Sequence, residues 1–230
     1  MSVMFNKYTN ADNLNTSFAN KILAKLRRGI EDNGVATMAV SGGSTPKPLF
    51  DLLANKSFDW TNVIVTLVDE RWVDSQHADS NEKLVKENLL VEQAAAAKFV
   101  SLTADYDSPY DAENEISQRI DDIADEFDVL VLGMGEDGHT ASLFPCSEQI
   151  DAGLDLEREL SAIATQPTTA SHLRMSMSLA KIIKAKNIYL HLVGDKKLAV
   201  LEDALANYDA KQKPIKAVCD EAQVSLMWAP

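Results

Sequence analysis

The sequence predicts an α/β fold built on an open, mostly parallel sheet, and three observations predict it. Residues 35–40 and 63–68 are short, β-branched apolar runs without a polar face, as strands buried on both sides of a parallel sheet should be. Such runs alternate along the chain with segments of helical periodicity. Four runs end in a glycine-bearing or charged loop, at residues 40–46, 68–72, 132–139 and 193–197. Ligands of these sheets bind in the crevice beyond the carboxyl ends of the strands, so the four loops predict one composite site.

Taken in order, Leu14, Phe18, Ile22, Leu26 and Ile30 recur every four residues and mark one face of an opening helix that ends near Gly29 or soon after. Strands follow at 35–40 and 63–68. Between them Thr45 is placed to cap a helix whose first residue is Pro46, where a missing N–H costs nothing. Ser80 starts another helix, running through 81–90. A strand at 99–102, an acidic helix over about 109–126 and the strongly apolar strand at 128–133 come next. Residues 160–165 and 173–178 read as strands, the latter alternating Leu173, Met175 and Met177 with Arg174, Ser176 and Ser178, which suits a sheet with one polar face. Strands at 187–193 and 224–228 close the sheet, with a helix over about 196–207 between them.

No repeat, low-complexity tract or linker divides the 230 residues, so residues 1–230 are expected to form a single domain. No apolar run approaches the ~20 residues that span a bilayer, and residues 1–10 carry no export signal, so a cytoplasmic protein with no membrane partner is expected. Cys146 and Cys219 form no CxxC pair and read as ordinary free thiols of a reducing compartment. The formal net charge of −13, with no basic stretch, argues against a nucleic-acid partner. An anionic ligand would need a local cluster of cations and amides working against the global field.

The loop Ser41-Gly42-Gly43-Ser44-Thr45 is such a place. Two glycines admit a close backbone approach, the hydroxyls add donors, and the helix that follows aims its positive end at the same point. Phosphate is the natural occupant, and the absence of GxxxxGK[ST] and GxGxxG points away from nucleotides. In the second loop Asp69 ends its strand facing the crevice, while Glu70 reads as part of a surface ion-pair network with Arg71. In the third, Gly133, Gly135 and Gly138 constrain a backbone that brings Asp137 beside His139, an arrangement able to tune an imidazole for proton transfer. His77, His172 and His191 read as structural. HxH, HxxxH and Cys/His ligand spacings are absent, so no metal is expected. The fourth loop offers Lys196, expected in solvent, and Lys197; Arg174 stands on the strand at 173–178.

The ordered set Ser41-Gly42-Gly43-Ser44-Thr45-Pro46, Asp69-Glu70-Arg71-Trp72-Val73, Asp79-Ser80-Asn81, residues 133–145 ending Asp137-Gly138-His139-Thr140-Ala141-Ser142-Leu143-Phe144-Pro145, and Gly194-Asp195-Lys196-Lys197 resembles the motifs of 6-phosphogluconolactonases. The resemblance runs from near residue 35 to the end of the chain. It implies the doubly wound α/β domain, with a modified Rossmann-like sheet, that these lactonases share with glucosamine-6-phosphate deaminases. It also implies hydrolysis of 6-phospho-D-glucono-1,5-lactone, a small sugar phosphate lactone, in the oxidative pentose phosphate pathway and without a cofactor. By this resemblance Gly42, Gly43, Ser44, Thr45, Arg174 and Lys197 hold the phosphate, and His139, Asp137, Arg71 and Asp69 serve catalysis. Residues 168–173 lack the proline that commonly precedes this arginine in the family.

The deaminases are the nearest alternative, and they carry Asn-Glu-Pro where this chain has Leu143-Phe144-Pro145. Phe144 supplies no acid or base for ring opening and isomerisation. A non-catalytic sugar-phosphate sensor is the alternative of another class; it leaves the pairing of Asp137 with His139 without a purpose.

Overall fold

The computed structural model describes residues 3–230, so Met1 and Ser2 of the expected domain lie outside the described residues. Its strands are β1 (Val3–Lys7), β2 (Ala36–Val40), β3 (Val63–Leu67), β4 (Asp69–Arg71), β5 (Lys98–Phe99), β6 (Val129–Leu132), β7 (Ala162–Thr165), β8 (Arg174–Met177), β9 (Ile188–Val193) and β10 (Val224–Ala229). The helices are α1 (Ala11–Asn33), α2 (Lys47–Ala54), α3 (Asn81–Asn88), α4 (Pro109–Ile123), α5 (Ile150–Leu154), α6 (Leu179–Ile182), α7 (Asp195–Asn207) and α8 (Ile215–Glu221).

Local signals account for several boundaries. Asn10 caps α1 by accepting from the Asn13 N–H at 2.9 Å, and Gly34 ends it with φ 78°, donating to the Ile30 carbonyl. Ser80 caps α3 as expected, accepting from the Lys83 N–H at 3.1 Å. The stripe Leu14, Phe18, Ile22 and Leu26 is fully buried.

Seven strands pair in parallel in the order β1-β10-β9-β6-β2-β3-β5. From β2 the chain proceeds outward through β3 and β5, and from β6 it proceeds the other way through β9 and β10. The direction of winding therefore reverses between β2 and β6, the point at which sheets of this type open a crevice for a ligand. The expected mostly parallel α/β sheet with flanking helices is present.

A second, antiparallel sheet, β4-β8-β7, stands apart from the first. Val68 is the crossing residue: its N–H donates to Val40 of the large sheet, and its carbonyl accepts from Met177 of the small one. This overturns two expectations. Residues 69–71 are a strand rather than a loop, and β8 has no solvent-facing polar side, since all four of its residues are buried. β1 and α8 were not expected either, and β10 does not close the sheet because β1 lies outside it. Both β1 and β4 are short, β4 wholly polar, and it is pairing with distant strands that makes them extended.

His191, on β9, is buried as expected, its ring set against Phe18 with centroids 5.3 Å apart. Among the described residues neither ring nitrogen has a hydrogen-bond partner, and burial lowers the imidazole pKa to about 4. Because the folded-state value lies below the ordinary 6.5, the unfolded chain binds the extra proton as pH falls from 6.5 to 4, and stability is lost through that window. Chemical denaturation should show wild type losing about 3 kcal/mol more than His191→Leu between pH 7 and 4. Parallel pH profiles for the two proteins would remove His191 as the cause.

Candidate active site

The loops after β2 and β6 meet across the point where the winding reverses. The Ser41 N–H donates to the Val131 carbonyl at 3.0 Å, and the Gly133 N–H donates to Ser41 Oγ at 3.1 Å. Between them opens a cleft of about 470 Å³, lined by Gly42, Gly43, Ser44, Thr45, Asp69, Arg71, His139, Arg174 and Lys197. Of the residues expected at the site, Asp137 alone is not part of the lining; it stands behind His139.

In the first loop Gly42 is required by contact: a Cβ there would lie 1.9 Å from Asn81 Oδ1. Asn81 is itself held by donating Nδ2–H to the Asp69 carbonyl at 2.9 Å. Gly43 takes φ 93°, a conformation that side chains disfavour. The expected cap by Thr45 is absent, because the helix begins one residue later, at Lys47, with Pro46 in the cap position and no side-chain hydrogen bond. Thr45 lines the cleft instead, and the first-turn N–H groups of α2 have no side-chain cap.

Opposite this loop stands a group of cations with no salt-bridge partner among the described residues. Arg71 and Arg174 face each other in register across β4 and β8. Arg71 Nη1 donates to the Asp79 carbonyl and Arg174 Nη2 to the Ser171 carbonyl, yet each Nε–H is buried without an acceptor. Lys197 Nζ, in the first turn of α7, donates to the Met134 carbonyl at 2.7 Å. Among the described residues none of the three forms a salt bridge, whereas Lys196, in solvent as expected, pairs with Glu136 at 2.6 Å. Burial, and then the charge of Arg71, push the Arg174 pKa down, against the pull of Asp69 and Glu70. Positive charge gathered at such cost wants an anion, which answers how a chain of charge −13 would bind one.

The third loop positions the imidazole. His139 Nδ1 lies 2.5 Å from Asp137 Oδ1, which also accepts the His139 backbone N–H at 3.1 Å. Burial alone would raise the Asp137 pKa, but the hydrogen bond and charge of His139 outweigh it and hold the carboxyl below its ordinary range. An ionised Asp137 accepts Nδ1–H, which leaves the lone pair on Nε2. A face of the imidazole is covered by Phe144, stacked with centroids 4.0 Å apart, and the Arg174 guanidinium lies 5.8 Å from the Phe144 ring centroid. Gly135 is the pivot: its N–H donates to the His139 carbonyl at 2.9 Å, and a Cβ on it would stand 2.2 Å from the imidazole.

Asp69 and Glu70 sit differently from each other and, for Glu70, differently from expectation. Asp69 is buried and accepts from Ser142 Oγ at 2.6 Å, and among the described residues it forms no salt bridge with Arg71. Glu70 is no surface ion pair. Only 1% exposed, it accepts from the N–H groups of Arg71, Asn81 and Glu82 and from the Ser80 hydroxyl, tying β4 to the start of α3. His77 and His172, expected to be structural, are not in the core; they meet Asp79 near the surface.

Residues 9–228 match the model of the family described as glucosamine-6-phosphate isomerases/6-phosphogluconolactonase. The chain belongs to that family. A curated relative from Pseudomonas putida, named 6-phosphogluconolactonase, is 38% identical over 229 residues, covering 100% of this chain and 94% of its own length. One of the same name from Rhizobium meliloti (strain 1021) is 37% identical, with both chains covered in full. The crystal structure of a 6-phosphogluconolactonase from Shewanella baltica OS155 superposes with a TM-score of 0.96 at 39% identity, over 100% of this chain and 98% of that one.

Two residues of this family member's site escaped the sequence reading as site groups: Asn81 and Ser142. Each acts by contact with Asp69, 12 and 73 residues away, and the signal available was their place inside the Asp-Ser-Asn and Ser-Leu-Phe-Pro strings.

Proposed function

We propose that this chain hydrolyses 6-phospho-D-glucono-1,5-lactone to 6-phospho-D-gluconate, as a 6-phosphogluconolactonase of the oxidative pentose phosphate pathway. The observation that carries the proposal is the pairing, in one cleft, of three cations without a salt bridge among the described residues with an Asp137–His139 dyad. The amides and hydroxyls of residues 42–45, with Arg174 and Lys197, hold the 6-phosphate and fix the ring remotely from the reacting carbon. Nε2 of His139 takes a proton from water as the water oxygen attacks C1. The tetrahedral oxyanion then collapses, the bond from C1 to the ring oxygen breaks, and His139 returns the proton to that oxygen. Asp137 keeps the imidazole in the working tautomer. Asp69 receives a sugar hydroxyl. Arg71 adds positive charge at the phosphate or at the oxyanion; Arg71→Ala raises KM in the first case and lowers kcat in the second.

Phe144 favours this reaction over deamination. It places an apolar ring on His139 where an isomerase needs a further proton carrier, and a lactone carbonyl, already an electrophile, needs only one base. Cys146 and Cys219 are free thiols, which supports a cytoplasmic setting. Among the described residues no helix is long and apolar enough to cross a membrane.

The direct experiment generates the lactone enzymatically and follows acid release with and without the protein, beside ammonia release from glucosamine 6-phosphate. Accelerated acid release with no ammonia is expected, and the reverse result overturns the proposal. Lys197→Ala and Arg174→Ala should each weaken binding of 6-phosphogluconate by about 10- to 100-fold, the loss of one charge-assisted contact, and reduce its salt dependence. Lys196→Ala should leave affinity nearly unchanged because its partner is Glu136. Calorimetry at two salt concentrations decides the matter, and an effect confined to Lys196→Ala would reassign the anchor.

A further inference from the structure

Two histidines outside the catalytic loop converge at the rim of the cleft. His77 belongs to the loop after β4 and His172 to the loop before β8, 93 residues from Asp79, the carboxylate that stands between them. Asp79 Oδ2 lies 3.1 Å from His172 Nε2 and 3.9 Å from His77 Nδ1. One ligand atom from each of the three residues falls within 4.8 Å of the other two. Around a tetrahedral zinc ion with bonds of about 2.0–2.2 Å, neighbouring ligand atoms stand roughly 3.3–3.6 Å apart. Small torsions of partly exposed side chains bring this trio to that spacing.

We propose that His77, Asp79 and His172 form a binding site for a divalent transition cation, Zn²⁺ foremost, at the edge of the substrate cleft. The donor set is two imidazoles and one carboxylate, which suits zinc and leaves its fourth position open. Mg²⁺ and Ca²⁺ prefer an all-oxygen shell of six or more ligands and are a poor match. Among the described residues the ion pairs of Asp79 are with these two imidazoles and with no lysine or arginine. The His77 Nδ1 lone pair accepts the Asp79 backbone N–H at 3.1 Å, so metal binding exchanges that contact for a coordinate bond.

The position gives the ion a consequence. The Asp79 carbonyl receives Arg71, and the Ser171 carbonyl, next to His172, receives Arg174. A cation bridging the two loops stiffens the wall that carries both arginines. On the proposed function, occupancy then alters KM for the phosphorylated lactone more than kcat.

The test titrates Zn²⁺ alone into the full chain by calorimetry, and repeats it with His77→Ala, His172→Ala and His139→Asn. The expected result is one Zn²⁺ per chain, bound more than about tenfold more weakly by each rim variant and unchanged in His139→Asn, with no heat from Mg²⁺. The rim variants should retain acid release in metal-free buffer. Loss of that activity in the unsubstituted protein would remove the proposed function and leave the zinc result standing. Because a variant can fail to fold, the imidazole nitrogen resonances of the unsubstituted protein give a second readout, in which those of His77 and His172 should move with Zn²⁺. Absence of saturable binding, affinity indifferent to both rim variants, or shifts confined to His139 would each overturn the site.

Discussion

His139→Asn should lower kcat for lactone hydrolysis by about 10²–10⁴-fold while affinity for 6-phosphogluconate stays near that of wild type. The reason is a separation of duties in the proposed mechanism. There the phosphate is held by residues 42–45, Arg174 and Lys197, while the proton-accepting nitrogen belongs to the loop after β6, and these residues of the cleft lie on different elements. Asn preserves the donor toward Asp137 and removes the titrating nitrogen, so it isolates proton transfer from loop architecture. The predicted loss corresponds to about 3–5 kcal/mol of transition-state stabilisation. Since the free lactone hydrolyses in water, the measurement is acid release with the uncatalysed rate subtracted, set beside a binding isotherm for the product. Turnover equal to wild type would take His139 out of the mechanism; lost affinity with unchanged kcat would make it a binding residue.

Gly135→Ala should be nearly as damaging although no group of Gly135 reacts. The added methyl would stand 2.2 Å from the imidazole and 2.6 Å from Asp137 Oδ1, far inside contact distance, and the hydrogen bond from Gly135 N–H to the His139 carbonyl fixes the two backbones to each other. The ring must rotate off Phe144 or the loop must move, and displacement of a reacting group by about 1 Å costs on the order of 10²-fold in rate. We expect kcat/KM to fall by at least about that factor, with a lower denaturation midpoint and with 6-phosphogluconate still bound. The control is Gly133→Ala, where an added Cβ meets nothing nearer than 4.0 Å. Equal kinetics for the two variants would show that the Gly135 contact relaxes without cost to the dyad.

Much of the fold was legible because its signals are local. The Leu14 to Leu26 stripe, the Ser80 cap and the doubly buried runs at 36–40 and 63–67 depend on near neighbours and on burial, and the structure bears them out. What escaped was written in distant pairings. β1 is extended because it pairs with β10, more than two hundred residues away, and Asp69–Arg71 becomes a strand only against β8. Glu70, a charged residue beside an arginine, reads as surface in any local window; burial under the start of α3, with four donors around it, reverses that reading. His77, Asp79 and His172 show the same limit, since ligands drawn from two loops leave no spacing signature.

By itself the sequence determined the parallel α/β architecture, the four segments that line the cleft, the Asp137–His139 pair and the glycines around it, for each of these is encoded within a dozen neighbouring residues. The tertiary structure decided how they are used. Winding in opposite directions from β2 and β6 opens the cleft, and cross-strand pairing sets Arg71 against Arg174. Stacking on Phe144 orients His139, and contact with Asn81 demands Gly42. The physical reason is that backbone propensity and apolar periodicity act over a few residues, whereas desolvation, like-charge proximity and van der Waals exclusion depend on which distant atoms the folded chain brings together.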